Sequence, residues 1–173
     1  MNRSASPVVI GTIGAGYAAY LHGNGYEKVH GVPVRLKTVC DLNLALAEKV
    51  KFRYGYEQVE SDYHKLLLDP EIDVIDIVLP PFLHTRVALD ALKAGKHVVT
   101  ANKDLIAVSG SELLETAKKH GCDFLYEAAV AGGIPIIRPL KQCLAGNHIS
   151  EVMGIVNGTT NFILTPPAWP PPR

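Results

Sequence analysis

Val8-Val9-Ile10-Gly11-Thr12-Ile13-Gly14-Ala15-Gly16-Tyr17-Ala18-Ala19 is the stretch on which the fold turns. Its first six residues are apolar, mostly β-branched and followed by glycines, which suits a strand buried on both faces. The second half fits a G-x-G-x-x-G/A pattern set between that strand and a helix. Gly14 permits the tight turn, Gly16 lets the backbone approach a pyrophosphate, and small Ala19 lets the helix pack closely on the strand. The phosphates would rest on the helix N-terminus, where N–H groups without helical partners and the helix dipole favour negative charge. Ile13, Ala15, Tyr17 and Ala18 complete this candidate cofactor-binding loop.

A glycine pattern alone is weak in a chain with 15 glycines; Asp41 strengthens it. An acid at the end of the second strand, about 20–25 residues beyond the glycines, can accept hydrogen bonds from a ribose hydroxyl. The same carboxylate repels a 2′-phosphate, which favours NAD over NADP. Capping of the next helix is the other role open to Asp41, and the two are compatible. Pro80 and His84 follow a later strand and fall at the carboxyl edge of the sheet, where ligands bind in such folds. For His84, helix capping or a surface position is an equally open reading.

Outward from the glycine turn, short apolar runs alternate with helical patterns, which points to repeated βαβ units and a parallel sheet. A second strand ends at Val39-Cys40-Asp41. Residues 42–54 read as a helix with Ala45, Leu46 and Val50 on one face and Gly55 as its left-handed stop. Residues 73–79 read as a buried strand ended by Pro80 and Pro81. A helix carrying Val87, Ala88, Ala91 and Leu92 then stops at Gly95, and residues 97–100 are strand-like. Ser109 and Glu112 suggest a capping box for a helix that buries Leu113, Leu114 and Ala117 and stops after His120 at Gly121. Residues 123–126 read as a strand, a helix from Pro135 to Gly146 follows, and residues 149–156 return to extended structure. The fold class expected is α/β: a Rossmann-type doubly wound parallel sheet over residues 1–150, with only the start of a second α/β catalytic domain at 151–165. Residues 166–173 hold five prolines and form no interior strand or helix.

At 173 residues and 47% hydrophobic content the chain can build one substantial core. Seventeen basic residues balance seventeen acidic ones, so no electrostatic footprint for nucleic acid or an anionic membrane exists. The run from Val8 to Ile13 is far shorter than the roughly 20 residues that cross a bilayer, and a soluble cytoplasmic protein is expected. Cys40, Cys122 and Cys143 are odd in number and widely spaced, which favours buried free thiols over disulfides or a zinc site.

Two family resemblances run along the chain. Up to about Lys96 it resembles the glucose-fructose oxidoreductase and inositol dehydrogenase family, through Ile13-Gly14-Ala15-Gly16, Val39-Cys40-Asp41, the segment from Asp69 to Ile77, the turn from Pro80 to His84, and Ala91-Leu92-Lys93-Ala94-Gly95-Lys96-His97. Where that family usually reads Glu-Lys-Pro, this chain reads Thr100-Ala101-Asn102-Lys103. From His97 on it resembles homoserine dehydrogenases more specifically. The carrying segments are His97-Val98-Val99-Thr100-Ala101-Asn102-Lys103, Glu127 through Ile136, and Gly154 through Leu164.

The homoserine dehydrogenase resemblance implies reversible hydride transfer between NAD(P)H and aspartate semialdehyde, giving homoserine, in an enzyme that is a homodimer at full length. It places Thr100 and Lys103 beside nicotinamide and substrate, where a lysine's three donors can hold an oxygen; a solvated loop lysine is the plain alternative. It implies that Glu127, Val130, Gly132 and Ile134 hold a monovalent cation, Na⁺ or K⁺, with hard oxygen ligands. Asn157, Gly158 and Thr159 would approach cofactor and substrate, against a strand hydroxyl bonded to backbone as the bland role for Thr159. In the family the acidic substrate-holding residues and the proton-supplying lysine come from the domain after Asn157-Gly158-Thr159-Thr160-Asn161. The pattern gives way after Thr165, so cofactor binding with poor turnover is expected. A sugar or polyol dehydrogenase fragment and a non-catalytic NAD-binding module are the competing readings.

Overall fold

The computed structural model describes residues 6–131 and 134–154. These fall into two compact units, one of residues up to 99 with 104–125, the other of residues 100–103 with those from 126 on. The first unit runs β1 (Val8–Ile13), α1 (Tyr17–Tyr26), β2 (Val34–Cys40), α2 (Leu44–Tyr54), β3 (Gln58–Glu60), α3 (Tyr63–Leu68), β4 (Val74–Ile77), α4 (Pro81–Lys93), β5 (Val98–Val99), α5 (Lys103–His120, whose first residue belongs to the second unit) and β6 (Phe124–Leu125). Strands β3-β2-β1-β4 form one parallel sheet and β5-β6 a parallel pair. The chain leaves β1 towards β2 and β3, then returns to pair β4 on the other side of β1. That reversal opens a crevice beyond the carboxyl ends of β1 and β4, the place where Rossmann-type folds bind ligands.

The sheet is held by apolar burial on β1 and its neighbours. Val9, Ile10 and Ile13 on β1 and Val39 on β2 are buried, as are Val87, Ala88, Ala91 and Leu92 on α4, the face expected from helical spacing. Ala15, Ala19, Val39, Ala47, Val50, Tyr56 and Val78 form one cluster that joins the glycine turn to α2. The helix stops read from sequence also hold: Gly55, Gly95 and Gly121 adopt left-handed backbone at φ 76, 80 and 67°.

Several expectations need correction. The α2 face that packs inward is Ala47 and Val50, whereas Ala45 and Leu46 are exposed, because Asn43 caps the helix and sets its rotation by accepting from the Ala45 N–H at 3.1 Å. Ser109 and Glu112 do not start a helix: α5 begins at Lys103, and its buried Leu105, Leu113 and Ala117 lie on one stripe that crosses Ser109. Leu114 lies off that stripe and is 38% exposed. The helix expected from Pro135 is a short turn leading into a π-helical segment, Pro139–Cys143. Residues 149–154 pair with no strand among the described residues. Of the three thiols only Cys40 is buried; Cys122 is half-buried and Cys143 exposed. Strand β3 and helix α3 had no sequence signal in our reading. No helix among the described residues is long and apolar enough to cross a membrane.

A polar strap ties α1 to β4. Tyr26 donates to Asp76 Oδ2 at 2.7 Å, and His22 Nδ1 lies 2.9 Å from Asp76 Oδ1. Burial first, and then the Asp76 charge, push the Tyr26 phenol far above its usual value. His22 is raised above its ordinary 6.5, by its hydrogen bond to Asp76 first, against a smaller lowering from burial. A raised histidine stabilises the fold below its unfolded value and loses that contribution as pH rises through the folded one. The His22→Gln variant should therefore lose more thermal stability, relative to wild type, near pH 5.5 than near pH 8.5. Equal losses in melting scans at both pH values would contradict the strap.

Candidate functional site

Gly14 leaves β1 with φ +110°, a backbone open to glycine, and its N–H donates to Cys40 O at 2.7 Å. A β-carbon here would meet Val78 O at 2.7 Å, so the turn is wedged against the end of β4. Ala15 and Ala19 beyond it are buried, as close packing of α1 requires. Gly16 is different. It caps α1 with extended backbone and no side-chain acceptor, and nothing lies within 4 Å of where its β-carbon would stand. The first turn of α1 holds no acidic residue, so an anion there meets helix N–H groups and no fixed negative charge.

Asp41 is set by β2 at the side of this turn. Its Oδ2 accepts from the Ala15 N–H and its Oδ1 from the Asn43 N–H, both at 2.8 Å. The helix-capping role thus belongs to Asn43, and Asp41 braces the glycine loop. A carboxylate offers about four lone-pair sites, so two remain for a ribose hydroxyl. A cavity of about 300 Å³ opens between the ends of β1, β2 and α4. Ile13, Leu79, Leu83 and Val87 supply apolar wall, and Asp41, Ser61, Tyr63 and Arg86 the polar rim. Cys40 also borders it; burial first, then the Asp41 charge, push its thiol up to about 12, so it stays protonated. Apolar walls with a few convergent polar groups suit a flat heteroaromatic base and its sugar. These residues fit the adenosine and pyrophosphate half of a dinucleotide.

The remaining expected residues are distributed as follows. Pro80 is the residue before α4, and Ala18 packs beside the Ala15–Ala19 cluster. Tyr17 is 80% exposed at the first position of α1. The His84 ring donates from Nε2 to Leu79 O at 2.6 Å, a contact that fixes the loop before α4. In the second unit, Thr100 Oγ1 accepts from the Asn102 N–H at 3.1 Å and Lys103 opens α5 with an exposed side chain. Glu127 accepts from the N–H groups of Ile136, Ile137 and Arg138. Burial raises its pKa, but those three backbone bonds outweigh it and hold the carboxyl below its usual value. The Glu127 carboxylate thus spends three of its roughly four lone-pair sites on backbone N–H groups. Gly132, Asn157, Gly158 and Thr159 lie outside the described residues. Sequence reading missed Ser61, Tyr63 and Arg86, which reach the rim from the β3–α3 connection, from the start of α3 and from α4. The one usable signal was Asp62, a cap residue ahead of Tyr63, which accepts from the His64 N–H at 3.0 Å.

Comparison with known proteins bears on this site. The family model for the NAD-binding domain of homoserine dehydrogenase matches residues 10–127, and a homoserine dehydrogenase model matches residues 135–168. Homoserine dehydrogenase of Bacillus subtilis is 45% identical over 159 residues, covering 90% of this chain and 36% of the relative. The crystal structure of a homoserine dehydrogenase from Thiobacillus denitrificans is 35% identical with TM-score 0.62, covering 91% of this chain and 38% of that one. A 3-ketoreductase from Actinomadura kijaniata, solved with NADP and TDP-benzene, is 25% identical with TM-score 0.56, over 68% of this chain and 36% of that one. The chain spans little more than a third of the length of these relatives.

Removal of the Asp41 brace leaves the buried Ala15 N–H without its acceptor, at a cost of about 1–3 kcal/mol. Asp41→Ala should lose that much stability in urea unfolding; an unchanged midpoint would show that the brace carries nothing.

Proposed function

The chain belongs to the homoserine dehydrogenase family, and on that premise we propose that it binds NAD or NADP at the Gly14–Gly16 turn and serves hydride transfer between nicotinamide and the aspartate semialdehyde–homoserine pair. The observation that carries the reading is the open N-cap at Gly16 beside an Asp41 that holds the loop in shape. The first-turn N–H groups of α1 would hold the pyrophosphate, and Asp41 the adenosine ribose. The cavity behind Asp41 would take the base. The cofactor, when bound, supplies the two-electron redox chemistry; protein groups orient it and move a proton.

The family resemblance assigns Thr100 and Lys103 to the nicotinamide side. Lys103 is a positioning residue in this reading, its ammonium holding a substrate or ribose oxygen. Asn157, Gly158 and Thr159 are proposed substrate contacts. A monovalent cation would take the carbonyls of Glu127, Val130, Gly132 and Ile134, since the Glu127 carboxylate is engaged by backbone N–H groups. In the reduction direction, aspartate semialdehyde, NAD(P)H and a proton give homoserine and NAD(P)⁺.

Calorimetric titration with NAD⁺ and NADH tests the site, and the Gly16→Val variant separates binding from folding. Its backbone is not left-handed and its surroundings are empty, so the variant should melt close to wild type while affinity falls at least about tenfold. Undiminished binding by Gly16→Val would move the pyrophosphate elsewhere. A substrate panel of homoserine against polyols addresses the reaction itself; oxidation of a polyol in preference to homoserine would favour the polyol dehydrogenase reading.

A further inference from the structure

The adenosine end of the proposed site carries both signs of charge. Asp41 and Arg86 line the same cavity of about 300 Å³, one from the end of β2 and the other from α4. Asp41 alone argues for NAD, because a carboxylate repels a 2′-phosphate. Two features weaken that repulsion. Each Asp41 oxygen already accepts a backbone N–H at 2.8 Å, so part of its charge is answered within the fold. The second feature is Arg86 itself, which forms no ion pair with a carboxylate among the described residues and has an exposed side chain.

Arg86 is nonetheless aimed. Tyr63 donates its hydroxyl to Asp90 Oδ2 at 2.8 Å; burial first and then Asp90 raise the phenol's pKa, and the neighbouring Arg86 guanidinium works against them. A guanidinium carries five N–H donors, and Arg86 pairs none of them with a carboxylate among the described residues. Asp90 is meanwhile shared among Tyr63, His64 and Lys93. Ser61, also on the rim, adds a hydroxyl. A planar guanidinium with free donors at the mouth of an adenosine cavity matches a phosphate monoester, which it can grip with two parallel hydrogen bonds.

Resting on the dinucleotide reading above, we propose that Arg86 determines cofactor choice: it seats the 2′-phosphate of NADP, while Asp41 serves the bare ribose of NAD, so the one pocket accepts both. The Tyr63 hydroxyl, anchored on Asp90, is the post that keeps the guanidinium over the cavity.

The experiment is calorimetric titration of the whole chain with NAD⁺ and with NADP⁺ at fixed ionic strength, for wild type, Arg86→Gln and Arg86→Lys, with a melting scan on each. Arg86→Gln should weaken NADP⁺ at least about tenfold and NAD⁺ less than about twofold, and Arg86→Lys, which keeps the charge but loses the fork, should fall between. In a parallel salt series, NADP⁺ affinity should drop more steeply than that of NAD⁺ for wild type and Arg86→Lys, and this excess should shrink in Arg86→Gln. Equal weakening of both cofactors, or NADP⁺ binding untouched by Arg86→Gln, overturns the assignment. Should Arg86→Gln fail to fold, Arg86→Lys and the wild-type salt dependence decide it in the same way. Wild type that binds NAD⁺ and no NADP⁺ refutes the inference and leaves the dinucleotide site standing, whereas wild type that binds neither removes the site itself.

Discussion

A β-carbon on Gly14 would stand 2.7 Å from the carbonyl oxygen of Val78, and most of what this chain can do follows from that contact. It lets the end of β1 turn directly over the end of β4, at the point where the strand order reverses. The turn then delivers α1 onto the sheet, and the helix can lie close only because Ala15 and Ala19 are small and buried. The same closeness leaves Gly16 at the lip of the crevice with space in front of it. One forbidden side chain thus fixes the path of the backbone, and two residues later Gly16 leaves the N-terminus of α1 open.

The carboxylates divide the labour in a way that composition does not reveal. Asp41 and Glu127 are both candidates for ligands, and both spend their oxygens on backbone N–H groups, two for Asp41 and three for Glu127. An N–H left without an acceptor inside a fold costs more than an average hydrogen bond contributes, so a nearby carboxylate is drawn to it before any ligand arrives. Asp41 keeps lone pairs in reserve and lines a cavity while it shapes the loop. For Glu127 the three donors belong to the segment that leads into the π-helical turn at Pro139, and its carboxylate is better understood as the start of that turn.

What was legible in the sequence was whatever local chemistry dictates without help. β1 was bounded correctly because a β-branched run that meets two glycines has few alternatives, and the inward face of α4 because four apolar positions repeat with helical period. The left-handed stops were legible because glycine alone enters that conformation freely. Illegible were the features set by tertiary context. Ala45 and Leu46 match a helical stripe as well as Ala47 does, and only the cap at Asn43 decides which side turns inward. Ser109 has the chemistry of a cap, but its hydroxyl lies 3.3 Å from that of Thr85, inside a helix whose buried stripe had already begun at Leu105. The rim of the cavity was hidden for the same reason: Arg86 is distant in sequence from Ser61 and Tyr63, none of the three carries a motif, and β3, only three residues long, gave no periodicity to place them.

The change of family resemblance near Lys96 has a physical explanation in this architecture. The match to the homoserine dehydrogenase NAD-binding domain runs unbroken over residues 10–127, so position 96 marks no join. The features that resemble the other family, the glycine turn, the acid after β2 and the helix after β4, all answer to the demand of placing a backbone against a pyrophosphate and an acid beside a ribose. Any lineage that meets that demand with a parallel sheet converges on similar residues there. The segments that separate the families, Thr100 through Lys103 and Glu127 through Ile136, fall in the second compact unit, away in sequence from the glycine turn and the acid after β2. The resemblance common to both families thus lies in the first unit, where Arg86 on α4 lines the same cavity as the Asp41 of the motif, and the difference between them lies in the second.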